Sequence, residues 1–138
     1  MWIAVIFCFS TDSFSGAETS RIIIPALKFV FPHSSPAQLE FGHLVCRKAG
    51  HLLEYFVLGF LVWRAFDPME ASAMKVMPFM LALVLAVAVS DELHQFFVPS
   101  RTSAWTDVGY DFIGGTLALL LMARLRNEPR TLHSHSVL

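Results

Sequence analysis

Residues 76–101 read VMPFMLALVLAVAVSDELHQFFVPSR. Val76 to Val89 carries no charged side chain, and the polar interruptions Ser90, Asp91, Glu92, His94 and Gln95 all fall in the last third, before Pro99. A run of this length and apolarity meets the roughly 20 residues that a helix needs to cross a bilayer. Ionisable side chains confined to one end of a crossing define a polar layer near one face of the membrane. They predict a bundle interior or a water-filled cavity there, because a charge facing lipid is costly.

The flanking sequence repeats the pattern. Gly50–Phe66 is apolar around His51 and Glu54, and Ser35-Pro36-Ala37-Gln38 supplies an N-cap, a proline at the first helical position and a Gln placed to close a capping box, so a helix should begin there. Downstream, Pro99–Ser103 is a short loop, and Trp105–Met122 reads as another crossing with Asp107 and Asp111 in its first two turns. Asp67-Pro68-Met69-Glu70 reads as a turn. Composition agrees: 55% of residues are hydrophobic and 15% charged, and the mean hydropathy is +0.57. The expected fold is all-α, an integral membrane bundle with three transmembrane helices over residues 1–123 and a polar tail over residues 124–138.

The N-terminal segment is less regular. Trp2–Phe9 is apolar for only about two turns before Ser10-Thr11-Asp12-Ser13, and it reads either as a truncated first membrane helix or as a segment that dips into the interface. Arg21–Phe31 is broken by Pro25, closed by Pro32, and suited to lying at the headgroups. Cys8 and Cys46 show no CxxC spacing, and no disulfide is expected. The net charge of -1, with no basic stripe interleaved with aromatics, excludes nucleic acid as a partner. The lipid bilayer is the expected surrounding. Arg124, Arg126 and Arg130, with Arg64 and Lys75, place the C-terminus in the cytoplasm by the positive-inside rule. Arg21, Lys28, Arg47, Lys48 and Arg101 then fall outside, where they would suit an anionic ligand.

Three crossings that alternate in direction bring the start of the first, the end of the second and the start of the third to one side. His51, Glu54 and Tyr55 stand at i, i+3 and i+4, as do Asp91, His94 and Gln95, while Asp107 and Asp111 are four apart. Gly114 and Ala118 extend the third stripe as a small-xxx-small pair that lets helices approach closely. Asp91 and Glu92 are adjacent, about 100° apart around the helix, so Asp91 is expected in the stripe and Glu92 against a basic residue of the next helix or loop.

These residues carry a family resemblance. Arg47-Lys48-Ala49-Gly50-His51-Leu52-Leu53-Glu54-Tyr55, then Leu58-Gly59, resembles the first signature of the VanZ-like (teicoplanin-resistance) family. Asp91-Glu92-Leu93-His94-Gln95, Pro99-Ser100-Arg101 and Asp107-Val108-Gly109-Tyr110-Asp111-Phe112-Ile113-Gly114 resemble its later motifs in order and spacing, with Ser100 where the family commonly has Gly. The resemblance covers about residues 47–121. It implies a multi-pass membrane protein of the cell envelope with a link to glycopeptide-antibiotic resistance, and it implies no particular reaction.

The candidate ligand-binding residues are therefore Arg47, Lys48, His51, Glu54, Tyr55, Asp91, Glu92, His94, Gln95, Arg101, Asp107 and Asp111. One reading is a vestibule that recognises an anionic, glycan-bearing or lipid-linked envelope precursor, or the glycopeptide itself. A second is a membrane-interface hydrolase or transferase with His51, His94, Asp91 and Asp107 as candidate catalytic groups. A third is a buried ion network with Arg47, Lys48 or Arg101 that only fixes helix register. A metal site on His51, His94, Asp107 and Asp111 is a narrower reading, because no HExxH or similar spacing is present, and no cofactor is expected. Tyr55 fits an aromatic belt as well as a ligand contact, and Trp105 reads as an interfacial anchor.

Overall fold

Ser35 and Gln38 start the longest helix. Gln38 Oε1 accepts the Ser35 backbone N–H at 2.8 Å, and Ser35 Oγ accepts that of Gln38 at 3.3 Å. This is the reciprocal capping box the sequence predicts, with Pro36 where an N–H would have no partner in the helix. The computed structural model describes residues 1–66, 73–101 and 103–127. Its helices are α1 (Trp2–Phe9), α2 (Gly16–Val30), α3 (Pro36–Phe66), α4 (Ala73–Phe96) and α5 (Trp105–Asn127), with a 3-10 turn at Asp12–Phe14. The expected turn at Asp67–Glu70 and the tail residues Arg130, His133 and His135 lie outside the described residues.

Two described helices, not three, are long and apolar enough to cross a membrane: Lys75–Phe96 and Trp105–Arg126. The third expected crossing, α3, has ample length at 31 residues, but His51, Glu54 and Arg64 dilute its apolar part. A third or less of each spanning stretch is buried inside the molecule. Phe79, Leu85, Val89, Ile113, Leu117, Leu120 and Leu121 point outward, as expected of helices solvated by lipid rather than of a soluble core.

Two boundaries differ from expectation. α2 runs straight through Pro25. The proline forgoes the bond to the carbonyl one turn back, and it lies on the exposed side of the helix. α5 carries on past Met122 to Asn127, so Arg124 and Arg126 occupy its last turn, where cations favour the carbonyl end of the helix dipole.

α3 and α5 form the most extensive pairing, and α4 packs on α5. Glycines set the α3–α5 distance: a Cβ on Gly114 would strike the Leu52 carbonyl, and one on Gly59 would strike that of Gly115 and come within 3.0 Å of Ala118 Cβ. The predicted small-residue seam therefore exists, with Gly59 and Gly115 added to it. Around it Tyr55, Leu58, Val62, Trp63, Met80, Val84, Val87, Ala88 and Leu119 form the core, which α1 joins through Ile6. α2 rests on α3, with Leu27 against Gly42.

Candidate functional site

The polar stripes of α3, α4 and α5 do converge. His51 Nδ1 lies 3.0 Å from Asp111 Oδ1, and His51 Nε2 lies 3.9 Å from Asp107 Oδ2. With Asp111 ionised the carboxylate can only accept, which would put the imidazole proton on Nδ1. Lys48 Nζ forms an ion pair with Asp107 Oδ1. On α4, Gln95 Nε2 donates to Asp91 Oδ2 at 3.0 Å. Asp91, Gln95, Asp107 and Asp111 are all at most 3% exposed.

The N-terminal segment closes this layer, which the sequence does not foretell. Ser10, itself buried, donates its hydroxyl to Asp91 Oδ1. Arg101 donates one guanidinium nitrogen to the Phe9 carbonyl and another to that of Phe14. Ser100 bonds Asp12, and Trp2 Nε1 donates to the Glu54 carbonyl at 3.1 Å. Ser10 is legible as the first polar residue after Trp2–Phe9, but nothing local names its partner on α4. His43 is a second omission: it is buried, and its Nε2 lies 3.1 Å from Thr19 Oγ1, tying α2 to α3.

Between the N-terminal segment and α3 and α4 lies a cavity of about 390 Å³. Its polar lining includes Ser10, Arg47, His51, Glu54, Asp91, Gln95 and Arg101, and its apolar lining includes Trp2, Phe9, Phe14, Ile23, Leu53 and Val57. Burial, and next the Arg47 guanidinium, hold the Arg101 pKa below the ordinary arginine value against the opposing pull of Asp91, Glu54 and Glu92. Arginine stays charged under such a shift, so two cations face one cavity.

Not every candidate joins this lining. Lys48 turns to the other side of α3, with its ammonium 5.5 Å from the centre of the Tyr110 ring. Among the described residues Glu92 pairs with no basic side chain: its Oε1 accepts the Ala104 backbone N–H just before α5, which anchors the loop to the end of α4. His94 packs its ring edge-on against Phe7, with centroids 5.5 Å apart. Tyr55 is fully buried in the core, one turn from His51, with its hydroxyl unpartnered among the described residues, so it is no aromatic-belt residue. Trp105 is 80% exposed, in keeping with an anchor.

His51, Asp91 and Asp111, from three different helices, bring ligand-type atoms within 4.8 Å of one another. Of the four residues the sequence offers for a metal, only His51 and Asp111 belong to this group. A proton-bearing imidazole oriented by a carboxylate, beside a cavity with two guanidiniums, has the parts for anion binding and for proton exchange. No curated protein and no solved structure matches the chain significantly. The VanZ/LLP1 family model matches residues 1–126, from α1 to the last turn of α5, and the chain belongs to that family.

Proposed function

We propose that this membrane protein recognises an anionic, lipid-linked component of the cell envelope in the cavity between its N-terminal segment and α3. The observation that carries the reading is the mixed lining: Arg47, Arg101 and His51, with Glu54 and Asp91 beside them, share one cavity with Trp2, Phe9, Phe14 and Leu53. A phosphate-bearing headgroup would meet the guanidiniums while its first acyl or prenyl carbons meet the aromatic residues of the lining. The volume of about 390 Å³ suits a headgroup better than a whole glycopeptide. In this reading α3 is the third crossing, the polar layer faces the extracytoplasmic side and the C-terminus is cytoplasmic. α2 lies at the headgroups, with exposed Ile22 and Phe29 one heptad apart toward lipid.

The test is binding of a sugar-bearing polyprenyl pyrophosphate to the protein in nanodiscs, read by native mass spectrometry, with teicoplanin in a parallel arm. Arg47→Ala should weaken lipid binding by about ten- to a hundredfold, the worth of a charge-assisted hydrogen bond. Equal binding by wild type, Arg47→Ala and Asp91→Ala would end this reading. Saturation by teicoplanin alone would replace the lipid with the antibiotic.

A second reading, a hydrolase or transferase acting on the same lipids, is favoured by the His51–Asp111 contact of 3.0 Å, which orients an imidazole at the cavity wall. It predicts turnover of labelled envelope lipid over hours, lost in His51→Gln. An unchanged lipid profile would leave only the binder.

A further inference from the structure

We infer that His51, Asp91 and Asp111 bind a divalent transition-metal cation, with manganese(II) or zinc(II) the class that fits. Asp91 and Asp111 are 2% and 0% exposed. Among the described residues no Lys or Arg pairs with either, and His51 is the one cationic partner of Asp111. Asp111 meets the imidazole and Asp91 is held only by the neutral Ser10 and Gln95, so two buried carboxylates lie together in a layer flanked by apolar helices, an arrangement that a dication would neutralise.

The donor atoms support the same conclusion independently of charge. Asp111 Oδ2 and Gln95 Oε1 are buried without a hydrogen-bond partner. The Gln95 amide is held against Asp91 by its Nε2, so its free oxygen sits at the edge of the cluster. Adjacent ligands of a small octahedral cation, each about 2.1 Å from the ion, lie about 3 Å apart. The His51 Nδ1 to Asp111 Oδ1 separation is 3.0 Å, and the three groups together fall within 4.8 Å, so small side-chain rotations close them on an ion. Binding would replace the proton on that nitrogen. The imidazole selects against magnesium and calcium, which prefer all-oxygen shells. His51, Asp91 and Gln95 also line the cavity, so the ion's remaining positions would face any anionic headgroup there. That last step rests on the lipid-binding reading above; cation binding itself does not.

The experiment uses the full chain in detergent micelles, stripped with a chelator and titrated with manganese chloride alone, with no lipid added. Wild type should take up a single equivalent, and electron spin-echo spectra of the bound ion should show coupling to one imidazole nitrogen. His51→Gln should abolish that coupling, and both it and Asp111→Asn should weaken binding at least about tenfold. His94→Gln, which alters a histidine set apart against Phe7, should change neither. Circular dichroism checks each fold, and if Asp111→Asn loses its helices the nitrogen coupling in His51→Gln decides. No saturable binding by wild type, or coupling that survives His51→Gln, would overturn the inference. A protein that binds the ion but no lipid would retain the metal site and lose only the headgroup reading.

Discussion

α3 and α5 meet twice along their length, by different physics. At the polar end, Lys48 and His51 reach across to Asp107 and Asp111 through ion pairs and a hydrogen bond. Directly beyond, Gly114 faces Leu52, and about two turns along α3 Gly59 faces Gly115, backbone against backbone. The first contact is made of groups that resist burial and must be matched; the second is made by the absence of side chains. The comparison teaches that the bundle does not need its charges for close approach, since the seam already sets the distance. The charged end is then available for chemistry.

Four substitutions can break or sharpen that contrast. Gly114→Val puts carbon against a carbonyl that cannot move without parting the helices, and should cost about 3 kcal/mol in detergent unfolding titrations. Lys48→Met leaves Asp107 buried and without its lysine. With Lys48 about a quarter exposed, the expected cost is about 2 kcal/mol, largely recovered by adding Asp107→Asn. If the double variant is no better than the single one, the ion pair is not what Lys48 contributes. Ser10→Ala deprives Asp91 of a donor at about 1 kcal/mol, and should speed hydrogen exchange in α1 while leaving α5 unchanged. Gly109→Ala, where an added Cβ meets nothing within 4 Å, should be neutral or stabilise by about 0.5 kcal/mol.

The parts legible in the sequence are those governed by local spacing. The capping box at Ser35 and Gln38 and the Gly114–Ala118 seam need only offsets of three or four residues. So do the pairing of Asp91 with Gln95 and the alignment of Asp107 with Asp111. Spacing also misled. His94 sits at i+3 from Asp91, on the opposite edge of the stripe from Gln95 at i+4, and that difference is enough to turn it toward Phe7. Glu92 found a backbone N–H instead of a cation because the chain enters α5 directly beside it, and backbone donors leave no trace in a sequence. The metal-type cluster is invisible for a related reason: its three residues come one each from α3, α4 and α5, so no short motif contains them. α3 has the length of a crossing without the apolarity of α4 and α5, because His51, Glu54 and Arg64 lie inside it.

Arg101 holding the Phe9 and Phe14 carbonyls, together with the bond from Ser10 to Asp91, ties the first residues of the chain to ones made much later. Ser10 and Asp91 are separated by 81 positions, on the order of 10 s of synthesis at ribosomal rates. Within that interval Glu54, the partner of Trp2, is made first, but those at the end of α4 and beyond do not yet exist. The first helix therefore waits at the membrane for the end of α4, and the cavity comes into being in a late docking step of biogenesis.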